Sequence, residues 1–167
     1  MDLTSLRARA MEFSHTGIII TDATLPDNPV IDCNPAFEVI TGYSRKEVIG
    51  RNCRFLQGSG TDPATIDAIR QAVAQQIYIT VVIQNFSKRG EPFWNELSIS
   101  PVFDRHNHLT HYIGIQNNVT VRETARGELA KEHAQMGQMN VVLRQKLQQQ
   151  KAIDDRINDL LKKSHTV

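Results

Sequence analysis

The sequence predicts an α+β domain of roughly 100 residues followed by a long polar helix. Two observations carry this. Short helical and strand-like stretches fill the chain up to about residue 120 and end in three long strand-like runs. All six prolines, all ten aromatic residues and both cysteines lie at or before Tyr112, whereas the chain beyond Val121 is rich in Gln, Lys, Arg, Glu and Leu. With 40% apolar and 22% charged residues among 167, a soluble globular protein is expected. A net charge of +1 supplies no bulk field toward nucleic acid or an anionic membrane.

Each element has a local cause. "LTSLRARAMEF" spaces Leu3, Leu6, Ala10 and Phe13 at helical intervals, with Asp2 or Thr4 as cap. "GIIITD" and "NPVIDCN" read as short strands around a turn at Leu25–Asn28. "NPAFEVITGYSRKEVIG" reads as two short helices broken at Gly42, the second capped by Ser44. In "TDPATIDAIRQAVAQQ", Asp62 is the cap and Pro63 the first helical residue, and Ile66, Ile69 and Val73 share one face. "IYITVVIQNFS", "EPFWNELSISPVF" and "LTHYIGIQNNVT" read as strands, and the short links "KRG" and "DRHNH" make them hairpins.

Strand alternation puts three amides where apolar residues belong. Asn85 shares a face with Ile77, Ile79, Val81 and Ile83; Asn95 shares one with Phe93, Leu97 and Ile99; Gln116 lies in a row with Tyr112 and Gly114. A buried amide without partners costs on the order of 1–3 kcal/mol, so each bonds either to nearby backbone or to a ligand. Three on adjoining strands favour a polar heterocycle, since an amide both donates and accepts. Arg54 and Arg70 add the chemistry of a phosphate site. The stretch "GRNCRFLQG", residues 50–58, meanwhile sets Cys53 among Asn52, Arg54 and Gln57, unusual company for a free thiol. A flat ring system with one phosphate, such as flavin mononucleotide (FMN), satisfies all of these features.

"GRNCRFLQG", followed by "IDAIRQAV", "IQNFSKRGEPFWNEL" and "YIGIQ", resembles the LOV (light, oxygen, voltage) domains, the blue-light-sensing branch of the PAS fold. The likeness covers residues 17–120, with a helical extension at 1–16 and a helical or coiled-coil extension at 121–167. The resemblance implies a five-stranded antiparallel sheet cupping FMN against short helices. It implies that Cys53 forms a reversible cysteinyl-flavin adduct under blue light. Asn52, Arg54 and Gln57 then contact the flavin, with Arg54 and Arg70 on the phosphate. Asn85 and Asn95 read the pyrimidine edge, and Gln116 relays the signal at ring nitrogen 5. Some members carry further arginines near the phosphate, where this chain has residues such as Thr61 and Ile66, so a looser flavin is expected. The chain then resembles a short LOV receptor without an effector domain, and is not an enzyme in its own right. A flavin-based redox sensor and a PAS interaction module are the alternatives.

In the tail, Leu129, Met136, Leu143, Gln150 and Ile157 fall seven apart, with Met139, Ile153 and Leu160 on the adjacent seam. A homodimer through the N- and C-terminal helices is expected, with output to a downstream protein that the sequence does not name. Residues 121–167 carry 9 basic and 6 acidic residues and no aromatic, which disfavours a nucleic-acid role. No apolar run approaches a membrane span, and two cysteines make neither a disulfide framework nor a zinc set, so a cytoplasmic protein is expected. His106, His108 and His111 lack accompanying ligands, and no metal is expected.

Overall fold

The computed structural model describes the backbone of residues 2–164 and side chains as far as residue 157. It contains two compact units, the first ending at Thr120 and the second beginning at Val121. In the first, α1 (Leu3–Glu12) precedes β1 (Gly17–Asp22), β2 (Val30–Cys33), α2 (Pro35–Thr41) and α3 (Arg45–Val48). A 3-10 turn (Cys53–Leu56), α4 (Pro63–Ala74), β3 (Ile79–Phe86), β4 (Pro92–Phe103) and β5 (Leu109–Asn118) complete it. The strands form a five-stranded sheet in the order β2-β1-β5-β4-β3, every pair antiparallel. This is the α+β architecture, with short helices, that the sequence predicts.

Local signals explain the boundaries. Asp2, not Thr4, caps α1: its carboxylate accepts the Ser5 N–H at 2.8 Å. Asn34 caps α2 ahead of Pro35 and also accepts the Ile18 N–H at 2.8 Å. Its amide donates to the Met11 and Thr16 carbonyls, so one buried side chain ties β1, α2 and the end of α1 together. Gly42, at φ 75°, ends α2, and a Ser44–Glu47 capping box starts α3. Asp62 and Pro63 start α4 as expected.

One strand boundary differs from expectation. Ile77 does not join the core face of β3; it is half exposed and precedes the strand. The cause is the closure of α4, where Gln76 turns left-handed (φ 57°) and the Ile77 N–H returns to the Ala72 carbonyl at 3.0 Å. Only from Ile79 is the backbone free to pair with β4.

A core of Ile19, Val30, Cys33, Phe37, Val48 and Leu56 fills the space between the β1–β2 end of the sheet and the short helices. Cys33 is therefore a buried sheet residue. The apolar residues Leu3 and Leu6 of α1, and Phe13 just after it, are exposed.

The second unit is one helix. With its first turn it forms α5 (Thr120–Ser164), 45 residues and about 67 Å long. Asn118 starts it, its side-chain oxygen accepting from the Thr120 N–H (3.0 Å) and hydroxyl (2.6 Å). Leu129, Met136, Leu143 and Ile157, with Met139 and Ile153 beside them, make an exposed stripe that Glu132, Lys146 and Gln150 interrupt. The side chain of Leu160 lies outside the described residues. No helix among the described residues is long and apolar enough to cross a membrane.

Candidate functional site

A cavity of about 520 Å³ lies between the sheet and the helical cluster, within the usual range of small-molecule sites. β1, β3, β4 and β5 supply one wall, the 3-10 turn and α4 the other. Gly114 keeps the floor low: a Cβ there would come within 2.7 Å of Ile19 on the neighbouring strand. Ile66, Ile69 and Val73, the shared face of α4, line the opposite side.

All eight residues singled out from the sequence line this cavity: Asn52, Cys53, Arg54, Gln57, Arg70, Asn85, Asn95 and Gln116. The strand register explains the amide cluster. Asn95 pairs with Ile83 on β3, and Leu97 pairs with Gln116 on β5, which makes Asn85 and Gln116 diagonal neighbours of Asn95. Asn95 Nδ2 donates to Asn85 Oδ1 at 2.9 Å and, more weakly, to Gln116 Oε1 at 3.3 Å. All three are buried, and Asn95 has no exposure at all. With Gln116 Oε1 turned to Asn95, the Nε2 end of that side chain is its remaining donor.

Among the described residues, three buried side-chain polar atoms have no hydrogen-bond partner: Thr21 Oγ1, Asn28 Oδ1 and Asn95 Oδ1. Each belongs to a residue lining this cavity. Buried polar groups are paired in the great majority of proteins, so three orphans around one cavity identify it as built for a polar ligand. Thr21 and Asn28 were not singled out from the sequence. A threonine in a strand and an asparagine in a turn are ordinary there, and only the folded chain shows that both belong to the lining of one cavity.

Cys53 is held by a rigid support. Asn52 caps the 3-10 turn, accepting from the Arg54 N–H at 3.0 Å and donating to the Asp27 carbonyl at 2.6 Å. Phe55, within the turn, packs edge-on against Tyr43 (4.9 Å between centroids) and beneath the Arg51 guanidinium (4.2 Å). Cys53 packs against the core cluster as well as lining the cavity. Burial, with a lesser contribution from Cys33, pushes its thiol up to about 12. Cys53 is thus a neutral thiol at physiological pH, and no histidine lines the cavity to activate it for hydrolysis.

The charged lining residues are exposed. Arg54 pairs with Asp27, its Nη1 lying 2.7 and 2.8 Å from the two carboxylate oxygens. Arg70 pairs with Asp67 one turn back on α4, at 2.8 Å. Thr61 is committed to the fold, accepting from the Gly58 N–H and donating to the Gln84 carbonyl. The histidines of the Asp104–His108 turn are exposed, and no group of three or more metal-ligating side chains occurs among the described residues.

The PAS domain family model matches residues 15–121. A light-oxygen-voltage domain solved in work on a flavin analogue superposes with a TM-score of 0.67 at 35% identity, covering 81% of this chain and 98% of that one. The chain belongs to the light-oxygen-voltage branch of the PAS family. This LOV chain is also similar to the dark structure of the blue-light photoreceptor Aureochrome1 LOV (TM-score 0.64, 33% identity, 81% and 96% coverage). An RNA-binding light-oxygen-voltage receptor gives a TM-score of 0.74 at 42% identity, over 79% of this chain and 37% of that one. Among curated proteins, the blue-light-activated histidine kinase of Brucella canis is 49% identical over 123 residues, 74% of this chain. The LOV chain spans about a quarter of the length of the curated relatives it matches, 25% for the kinase just named.

Proposed function

We propose that this LOV chain is a cytoplasmic blue-light photoreceptor that binds FMN and responds through a reversible cysteinyl-flavin bond at Cys53. The observation that carries the reading is the set of three orphaned polar atoms around a cavity that also holds a neutral thiol. The donor set fits a flavin. Asn95 Oδ1 is an acceptor for a ring N–H, Asn85 and Asn95 together offer the mixed donor and acceptor edge that a pyrimidine ring needs, and Gln116 Nε2 is a donor for an unprotonated ring nitrogen. Asn28 Oδ1 and Thr21 Oγ1 are free for the hydroxyls of a sugar-like chain. Asn52 and Gln57 line the cavity beside the thiol, and Arg54 and Arg70 stand at the exposed part of its lining, for a phosphate.

When bound, the flavin supplies blue-light absorption and an excited ring that is basic at nitrogen and electrophilic at the adjacent carbon. Cys53 would supply both halves of the response, its thiol proton to the nitrogen and its sulfur to the carbon, and would regain the proton on dark return. The capped 3-10 turn holds the sulfur in place, so proximity replaces a thiolate. Gln116 would detect the change, because an amide that donates to the unprotonated nitrogen would have to accept from the protonated one. The residue sits on β5 two positions before the Asn118 cap, so its reorientation reaches the start of α5 directly. A second copy of the chain is the proposed first partner, through the exposed apolar stripes of α1 and α5. In proteins most of a helix's stability comes from packing an apolar face, and the apolar stripe of α5 is exposed in the single chain. The chain then acts on a further protein as a sensor and not as a catalyst.

The test is the visible absorption spectrum of the purified protein before, during and after blue illumination, beside Cys53→Ala. The wild type shows a structured blue band that bleaches and recovers; the variant keeps the band and does not bleach. A protein that stays colourless after reconstitution with flavin overturns the reading of the cavity. Bound flavin without cysteine-dependent bleaching overturns the photoreceptor and leaves a redox sensor.

A further inference from the structure

The two arginines assigned to the phosphate are each engaged by a carboxylate of the chain itself. Arg54 holds Asp27 through one nitrogen and both oxygens, and Arg70 holds Asp67. Both arginines of the lining are therefore already paired before any ligand arrives, Arg54 with Asp27 of the lining and Arg70 with Asp67 outside it, whereas a phosphate monoester carries between one and two negative charges at neutral pH.

Asp27 is the fixed member of its pair. Its carbonyl is held by Asn52 Nδ2 at 2.6 Å, and the turn closes with the Asn28 N–H on the Leu25 carbonyl at 3.2 Å. Asp27 and Asn28 are successive left-handed residues, at φ 69° and 49°, a conformation few non-glycine residues adopt. The same turn brings Asn28, with its orphaned Oδ1, into the lining of the cavity. An arriving phosphate must either displace the Asp27 carboxylate from Arg54 or take the remaining guanidinium N–H groups with that carboxylate alongside. Either route subtracts from the binding that the phosphate contributes. The amides and orphaned oxygens that would hold the ring and its sugar-like chain carry no charge and are indifferent to the phosphate.

We propose that Asp27 is a specificity-setting residue: by occupying Arg54 it lets the cavity take riboflavin, the phosphate-free flavin, nearly as well as FMN. This rests on the flavin reading above. Both members of the pair are more than half exposed, so solvent screening keeps the effect modest.

The experiment titrates the flavin-free full-length chain with riboflavin and with FMN, following flavin fluorescence, for wild type and Asp27→Asn. Asparagine keeps the side-chain shape and tolerates the left-handed backbone; Asp27→Gly, free of backbone strain, is the second variant. Glu91→Gln makes the same charge change away from the cavity lining. Expected are wild-type dissociation constants for the two flavins within about tenfold of each other, and an FMN constant about fivefold tighter in both Asp27 variants. Riboflavin binding stays within about twofold throughout, Glu91→Gln changes neither constant, and the FMN gain shrinks in high salt. A wild type that prefers FMN by more than a hundredfold overturns the proposal. So does a shift of both flavins together, or of neither, in the Asp27 variants. Absence of binding by either flavin overturns the flavin reading itself, and this inference with it.

Discussion

Replacing Asn95 by leucine separates the cost of the amide cluster to the fold from its value to a ligand. Leucine branches at the same carbon as asparagine, so the change removes polarity with little change of shape. In the folded chain Asn95 Oδ1 is an orphaned buried acceptor, a liability of about 1–3 kcal/mol that leucine removes. Against this, Asn85 Oδ1 loses its 2.9 Å donor and Gln116 Oε1 its weaker one at 3.3 Å. Both groups line the cavity, so solvent within it partly replaces those bonds. Gain and loss are of similar size, and the stability of the flavin-free protein is expected to stay within about 1 kcal/mol of wild type. Ligand binding has no such compensation. A ring N–H that meets leucine is desolvated without a partner, worth about 2 kcal/mol or roughly thirtyfold in affinity. Urea denaturation of the flavin-free protein and fluorescence titration with riboflavin read the two effects separately. An affinity within threefold of wild type refutes the assignment of Asn95 to the ligand. A loss of several kcal/mol in the flavin-free protein shows instead that the cluster exists for the fold.

Two further outcomes are expected. Gln116→Leu removes the proposed relay but leaves Cys53 in place, so bleaching persists while the light-induced change in proteolysis of α5 falls at least severalfold; a response of full size eliminates the relay. Glu47 is held down to about 2 by the Lys88 side chain and by the Ser44 N–H and hydroxyl. Its folded value lies below its unfolded one, so its contribution to stability is complete above about pH 4.5 and is lost as the pH falls toward 2. The stability gap between wild type and Glu47→Gln therefore narrows from pH 6 to pH 3, and a gap independent of pH contradicts the assignment.

Much of the cavity lining is legible in the sequence because the relevant signals are local. The alternation of β3, β4 and β5 brought Asn85, Asn95 and Gln116 to one face, and the register made them neighbours. The caps at Ser44 and Asp62 and the break at Gly42 stand where the residue types require them. Ile77 was misplaced because the left-handed closure at Gln76 has no glycine or asparagine to announce it. Thr21 and Asn28 were passed over because nothing about either residue type is unusual in its element.

Two consequences of folding have no local signature. Asp27 and Arg54 are 27 positions apart, and only the approach of the β1–β2 turn to the 3-10 turn makes them an ion pair. Likewise, polarity is legible in sequence but an unpaired polar atom is not, since pairing depends on what the rest of the chain brings within 3 Å. The sequence by itself determined the elements, the apolar faces and the setting of Cys53 among polar neighbours, all fixed within a turn or a strand. The tertiary structure alone decided that burial raises the thiol's pKa, that the orphaned polar atoms belong to residues of one cavity and that its arginines are already paired, because burial and long-range contact exist only once the chain has closed around the space.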